Sequence, residues 1–374
     1  MRILVVIPTV FGGGAEQVAA ILSREWHAAH EVQVLAWQQA GEALDFGVPV
    51  CFAGLGVQSG LLRKVWNIVS RVRCVSRQMR QFRPDAVMAF MDEAGMPCVM
   101  AAALSGRLSR LVVSVHHNPQ WIPLWRRVLL GVFYRFPGAV VAVSEGVRNE
   151  LACALHLPRE RLRHIPNPLV LGAAIDDADS LNVATALASR RRDGYLLAVG
   201  RLDRYTKGLE ELIAAYAALP VPRPGLVVVG EGADRHAIEE DIARRGLADE
   251  VVLTGWVKDP RPFYRRASVF VLASRYEGWS NVLMEAMGEG CLVVATRCPY
   301  GPPEILGEEL AHCLVAPGDV AALAQGIQST LNLDPAKREL LSSALRARVQ
   351  QFAVDRVAAQ WIDLAQSLSA QAAK

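Results

Sequence analysis

The sequence predicts an α/β protein made of two doubly wound domains in tandem. Three observations carry that prediction. Continuous Val/Ile/Leu runs, the pattern of strands buried on both faces, alternate with helix-length segments. The alternation stops over residues 171–193, LGAAIDDADSLNVATALASRRRD, and then restarts. Finally, 374 residues are many for one hydrophobic core, so two are expected.

In the first half, RILVVI (2–7) reads as a buried strand, followed by a glycine turn and a helix over 14–28. EVQVLAW (31–37) is a strand, and a helix over 61–82 follows. Then come DAVMAF (85–90), helix 94–105, RLVVSV (110–115), helix 121–134, AVVAVS (139–144) and helix 145–155. Beyond the gap come YLLAVG (195–200), helix 207–218, GLVVVG (225–230), helix 233–245, EVVLTG (250–255), ASVFVLAS (267–274), helix 281–289 and CLVVAT (291–296). Helices near 319–332, 335–352 and 355–371 close the chain. The domains are therefore placed at 1–172 and 194–354, with a linker over 173–193. A terminal helix in 355–374 is expected to pack back towards the first domain. Doubly wound sheets bind ligands beyond the carboxyl ends of their strands, so the loops there, and the cleft between two such domains, are where chemistry is expected.

Composition narrows the classes. Charge is uneven: residues 1–170 hold 18 Lys/Arg against 11 Asp/Glu, whereas the remainder carries a net −4. A basic first half suits an anionic partner, but the near balance overall speaks against a nucleic-acid binder. Seven scattered cysteines without a CxxC read as reduced thiols of a cytosolic protein. The apolar run before Pro8 is too short for a signal-peptide core, and no uncharged stretch is long enough to span a bilayer. A cytoplasmic protein is expected.

Five strand-end loops carry candidate chemistry. TVFGGGAEQ (9–17) puts three glycines between a strand and a helix; it is either a tight turn or a loop that lets backbone amides approach phosphate. It is not GxGxxG, and no acidic residue closes the second strand, which disfavours a dinucleotide-dependent dehydrogenase. In VGRLDRYTKGLEEL (199–212), Arg201 follows Gly200 at a strand end and Lys207 opens the next helix, a pair suited to clamping a diphosphate. VGEGADR (229–235) and TGWVKDP (254–260) offer close backbone at Gly230 and Glu231 and a surface for a flat base at Trp256 and Val257. In SRYEGWSNVLMEAMGEG (274–290), Ser280 or Asn281 is expected to cap a helix, leaving the N–H groups of Val282 and Leu283 for phosphate. Glu285 lies one turn into that helix and Glu277 in the loop before it; each carboxylate can accept neighbouring hydroxyls.

GRLDRYTKG, VGEG, LTGWV and EGWSNVLMEAMGEGCLVVAT together resemble the retaining glycosyltransferases of family 4, which have the GT-B fold and a Glu-x7-Glu signature. GGAE (13–16), SVHHNP (114–119), VAVSEGV (141–147), IPNPL (165–169) and TRCPYGPPEIL (296–306) extend the resemblance over nearly the whole chain. It implies two Rossmann-like domains facing a central cleft, the first binding acceptor and the second the nucleotide sugar. Arg201 and Lys207 would bind the donor diphosphate, Glu285 the ribose, and Glu277, with Gly278, Trp279, Ser280 and Asn281, the donor sugar. Gly13 and Gly14 would border the phosphates and the acceptor. Glu16, His116, His117 and Asn118 would lie on the acceptor side, with His116 nearest the reacting sugar. The family needs no metal or other cofactor. Val115 stands where the family usually has Glu, and His117 where it often has Ser. The implied reaction moves a hexose or N-acetylhexosamine from a nucleotide sugar, UDP-linked by expectation, to a saccharide or lipid-linked saccharide of a bacterial-type surface glycan. The alternatives are a UDP-sugar 2-epimerase of similar shape and, with less support, a two-domain ligand-binding protein.

Helix 61–82 interleaves Arg63, Lys64, Arg71, Arg73, Arg77 and Arg80 with Trp66, Ile68, Val69, Val72, Val75 and Met79, and segment 121–134 adds Trp121, Trp125, Arg126 and Arg127. Such segments are either packed helices with a solvated basic face or contacts to an anionic membrane surface. His27 and His30 are spaced i, i+3 without further ligands and read as surface residues.

Overall fold

The computed structural model describes residues 1–38, 44–55, 61–116, 120, 122–170 and 194–372. The expected linker 173–193, His117, Asn118 and Trp121 lie outside these residues. The chain divides into two compact units, Met1–Val170 with Phe352–Lys374, and Leu171–Gln351.

The first unit runs β1 (Arg2–Ile7), α1 (Gly14–His27), β2 (Glu31–Ala36), β3 (Val50–Phe52), α2 (Leu61–Phe82), β4 (Ala86–Phe90), α3 (Asp92–Leu104), β5 (Leu111–Val115), α4 (Leu124–Phe133), β6 (Ala139–Ala142), α5 (Glu145–Ala154) and β7 (Leu162–His164). The strands form one parallel sheet in the order β3-β2-β1-β4-β5-β6-β7. Ile3 to Ile7 are wholly buried, which is why the run shows no polar alternation. The order reverses between β1 and β4. Since parallel crossovers are right-handed, α1 covers one face and α2 to α5 the other.

The second unit runs β8 (Tyr195–Val199), α6 (Leu209–Ala217), β9 (Gly225–Val229), α7 (Arg235–Arg244), β10 (Val251–Gly255), α8 (Arg261–Arg266), β11 (Ala267–Leu272), α9 (Asn281–Gly288), β12 (Val293–Thr296), α10 (Pro302–Leu306), β13 (Leu314–Val315), α11 (Val320–Leu331) and α12 (Pro335–Val349). Its parallel sheet has the order β10-β9-β8-β11-β12-β13, so the reversal falls between β8 and β11. The last helix, α13 (Val354–Ala372), belongs to the first unit. Trp361 meets Trp26 of α1 edge-on at 6.2 Å between ring centroids, and Trp26 Nε1 donates to the Ala358 carbonyl.

Several boundaries differ from the sequence reading. β3, β7, β13, α8 and α10 were not anticipated, being too short for periodicity to show. The helix expected from 121 starts at Leu124, after the extended Pro123. The helix expected from 207 starts at Leu209, because Gly208 takes a left-handed conformation (φ 62°) before it, so Lys207 sits in the loop rather than in the helix. The strand expected from 291 begins at Val293.

Candidate active site

In an open α/β sheet the order reversal opens a crevice at the strands' carboxyl ends. In the second unit that crevice lies between the loops after β8 and β11. The Arg275 N–H donates to the Thr206 carbonyl at 3.0 Å, tying the two loops together. Beside this tie, Lys207 Nζ lies 2.7 Å from Glu277 Oε1, and the Ser274 hydroxyl donates to the same oxygen at 2.7 Å. Both bonds end on Oε1, so Oε2 stands outside them. The Glu277 side chain is only 10% exposed and that of Lys207 21%, so the ion pair is little screened by water. Ser274 is itself fully buried, and its carbonyl accepts from the Thr296 hydroxyl of β12. Cys298, near Glu277, has its thiol pushed up to about 12, chiefly by burial.

Arg201 is exposed, directly after Gly200. Burial works against ionisation of Asp203, two residues on, but bonds from Thr206 and the positive charge of Arg201 hold its carboxyl below the ordinary value. The loop after β9 comes against the one after β8. A Cβ on Gly230 would stand 1.9 Å from the Gly200 carbonyl oxygen, so only glycine fits. The Leu202 N–H donates to the Glu231 carbonyl, while the exposed Glu231 carboxylate pairs with Arg235 at 3.0 Å. Trp256 is exposed and Val257 buried.

The start of α9 differs from expectation. Ser280 occupies the N-cap position, but with φ 107° and ψ 79°, and its side chain does not make the expected cap bond. Gly278 and Asn281 are partly exposed, whereas Trp279 is buried and its indole N–H donates to Met284 Sδ. One turn in, Glu285 Oε2 accepts from the Tyr264 hydroxyl at 3.0 Å. Glu285 keeps some exposed surface, yet burial is the leading cause that raises its carboxyl above the ordinary value; the Tyr264 bond opposes the rise, and Asp259 adds to it.

In the first unit, Gly13 and Gly14 open α1. The Glu16 carboxylate folds back over them: it is buried, accepts from the Thr9 hydroxyl at 2.8 Å and sits so close that a Cβ on Gly13 would meet Oε2 at 2.0 Å. Glu16 thus braces the glycine loop. His116 follows β5 directly, with Nε2 2.9 Å from the Ser114 hydroxyl and its ring 5.8 Å from Phe90. After β4, Met91 takes φ 69° and the buried Asp92 accepts from Tyr134 Oη at 2.8 Å. Ser114, Asp92, Ser274 and Tyr264 were not singled out in the sequence. Ser114 and Ser274 left a trace there, as hydroxyls at or next to the ends of apolar runs, two or three residues before a candidate.

Among the described residues no group of three or more His, Cys, Asp or Glu could hold a metal ion. All seven cysteines are free; Cys98, Cys291, Cys298 and Cys313 are buried. A cavity of about 1070 Å³ in the second unit, lined by Leu310, Leu314, Leu340 and Leu341 among others, shares no residue with this site. What the second unit assembles is a cation, a carboxylate held with one oxygen outside its bonds, and a helix N-terminus around one switch point. Such a site can bind a phosphorylated, hydroxyl-rich ligand.

Comparison with known proteins identifies the family. Residues 12–171 match Glycosyltransferase Family 4, and residues 193–332 match Glycosyl transferases group 1. The chain is 30% identical over 288 residues to the lipopolysaccharide core biosynthesis glycosyltransferase LpsD of Rhizobium meliloti, spanning 75% of each. It is 24% identical over 374 residues to the GalNAc-α-(1→4)-GalNAc-α-(1→3)-diNAcBac-PP-undecaprenol α-1,4-N-acetyl-D-galactosaminyltransferase of Campylobacter jejuni, spanning 97% of this chain and 98% of that one. The crystal structure of Anabaena HepE in complex with UDP and glucose superimposes with a TM-score of 0.83 at 21% identity, covering 98% of this chain and all of that one. The fold is the α/β GT-B fold.

Proposed function

Because the chain belongs to the group 1, family 4 glycosyltransferases, we propose that it moves a hexose or N-acetylhexosamine from a UDP-sugar to a saccharide carried on a lipid diphosphate, in the synthesis of a bacterial surface glycan. The named acceptor of the Campylobacter relative and the UDP in the HepE complex support that choice. The observation that carries it is the Lys207–Glu277 pair at the β8/β11 switch point.

The reading gives each residue a task. Trp256 and Val257 meet the base and Glu285 the ribose hydroxyls. Arg201, Lys207 and the N-terminus of α9 hold the diphosphate, and Glu277 Oε2 accepts a hydroxyl of the sugar. His116, oriented by Ser114, works on the acceptor side. Transfer proceeds with retention by front-face displacement. The acceptor oxygen bonds to the anomeric carbon as the bond from that carbon to the phosphate oxygen breaks on the same face, and the acceptor's proton passes to the leaving diphosphate. The chain's part is electrostatic: two cations and a helix dipole, already in place, meet the negative charge that grows on the leaving group. That charge is met by protein groups, so the reading assigns no metal to the step. Incubating the protein with a panel of UDP-sugars and an undecaprenyl diphosphate-linked saccharide, then assigning the anomeric configuration by NMR, tests it. An inverted product, or turnover abolished by EDTA, would contradict it.

The reading also places the protein on the inner face of the cytoplasmic membrane. No described helix is long and apolar enough to cross a membrane. Yet α2 exposes Val65, Trp66, Ile68 and Val69, and α4 exposes Leu124, Trp125, Val128, Leu129 and Val132. Neither helix contains an acidic residue, and Arg63, Arg73, Arg77 and Arg80 are exposed on α2. Apolar side chains flanked by exposed cations suit an anionic lipid surface.

A further inference from the structure

We propose that Ser280 is a ligand-binding residue, its hydroxyl donating a hydrogen bond to an oxygen of the donor's β-phosphoryl group. This rests on the reading that a nucleoside diphosphate sugar docks at the start of α9. Three observations on one residue carry it. Ser280 is 6% exposed. Its Oγ is buried and has no hydrogen-bond partner. Its backbone, at φ 107° and ψ 79°, lies where L-residues are rarely found.

Each of these is unfavourable for the protein alone. A hydroxyl taken from water without a new partner is destabilising. A serine with positive φ is strained, whereas glycine would adopt the same backbone freely. Nor does the side chain offset this by capping the helix at whose N-cap it stands. Serine therefore has neither the conformational advantage of glycine nor the usual benefit of an N-cap.

The surroundings hold it there. Trp279 is buried with its indole bonded to Met284 Sδ, and the Trp279 carbonyl lies against Gly301, where a Cβ would stand 1.9 Å away. The Ser280 carbonyl begins the α9 ladder by accepting from Met284. The hydroxyl therefore stays, unbonded, at the positive end of a helix dipole. It is three residues from Glu277, whose partner is the cation Lys207. A donor without a partner, in a positive field, matches an acceptor-only anionic oxygen; a phosphoryl oxygen fits that description and a sugar hydroxyl does not.

The test pairs stability with binding. Ser280→Gly removes hydroxyl and strain together; Ser280→Ala removes the hydroxyl and keeps the strain. Thermal unfolding and calorimetry with UDP and with UMP are measured on both variants and on the wild type. Ser280→Gly should raise Tm and weaken UDP binding about tenfold, with UMP, which lacks the β-phosphate, bound as before. Ser280→Ala should lose the same UDP affinity with a smaller gain in Tm. Unchanged UDP binding in either variant would overturn the role of Ser280 alone, as would equal losses for UDP and UMP. A wild type that binds UDP no better than UMP would overturn the underlying donor reading, and this inference with it.

Discussion

Lys207 and Glu277, 70 residues apart in sequence, are joined by a 2.7 Å bond between Nζ and Oε1. The bond spans the two strands between which the sheet reverses, so the cation assigned to the diphosphate and the carboxylate assigned to the sugar are neighbours before any ligand arrives. In the proposed reading, ligand binding shares Lys207 between Glu277 and phosphate, and the pair should behave as a unit.

That coupling can be measured. Lys207→Ala should lower kcat/KM by roughly 10- to 150-fold, the range for a lost charged hydrogen bond of about 1.5–3 kcal/mol. It should also destabilise the fold, because Glu277 is left nearly buried and unpaired. Adding Glu277→Gln should restore part of the stability but none of the activity. Strict additivity of the two changes in Tm would show that the pair is not coupled.

The two glutamates should separate by ligand. Glu285→Gln should weaken binding of UDP, since its carboxylate is assigned to the ribose. Glu277→Gln should leave UDP affinity nearly intact and cut transfer, because the sugar is no longer held for attack. Calorimetry set beside transfer rates decides it, and the reverse pattern would exchange the assignments.

Glu285 also sets a pH dependence of stability. Its carboxyl pKa is raised in the folded protein, so its favourable contribution is complete below the ordinary carboxylate value of 4.5 and is lost as pH rises through the higher folded value. A neutral side chain of the same shape avoids that loss. Glu285→Gln should therefore raise Tm at neutral pH relative to wild type, with the difference shrinking towards pH 4. A gain in Tm independent of pH would mean that ionisation is not its cause.

Membrane attachment should depend on both charge and apolar surface. Flotation is expected with vesicles containing phosphatidylglycerol and not with pure phosphatidylcholine, and salt should weaken it. Replacing Arg73, Arg77 and Arg80 together by Ala should remove about 3 kcal/mol of the attraction, at about 1 kcal/mol per cation near an anionic surface. Trp66→Ala with Trp125→Ala should reduce binding while leaving turnover of a water-soluble acceptor unchanged. Equal flotation of wild type and the arginine variant would remove the electrostatic basis of the idea.

The sheets were legible because β1, β4, β5, β8, β9 and β11 are covered on both faces, and such burial demands unbroken apolar runs. β3, β7 and β13 are only two or three residues long, and in so short a strand neither composition nor period stands out. The candidate residues were legible as far as they are local: Arg201, Lys207 and Glu277 lie in loops that follow strand ends, and Glu285 one turn into the helix after such a loop. The Lys207–Glu277 bond was not, because it depends on β8 and β11 being neighbours, which sheet order decides and local spacing does not. Ser280 was read as a helix cap from its residue type, but its inverted φ turns on backbone contacts that pattern cannot show, above all that of Trp279 with Gly301.

The route of the chain has a consequence for biogenesis. Val357, Ala358, Trp361, Leu364, Ala365 and Leu368 of α13 lie in the same core as Ile3, Val5, Trp26 and Phe90. The unit begun first at the ribosome is thus finished last, after all of Leu171–Gln351 has been synthesised. At about 5–20 residues per second, that interval leaves its apolar surface uncovered for roughly ten to forty seconds. A nascent chain at this stage carries a completable second unit and an open first one, so it is a natural client for chaperones that bind exposed apolar segments. By the same logic, a premature stop beyond Gln351 would spare the second unit and strand the first half-built.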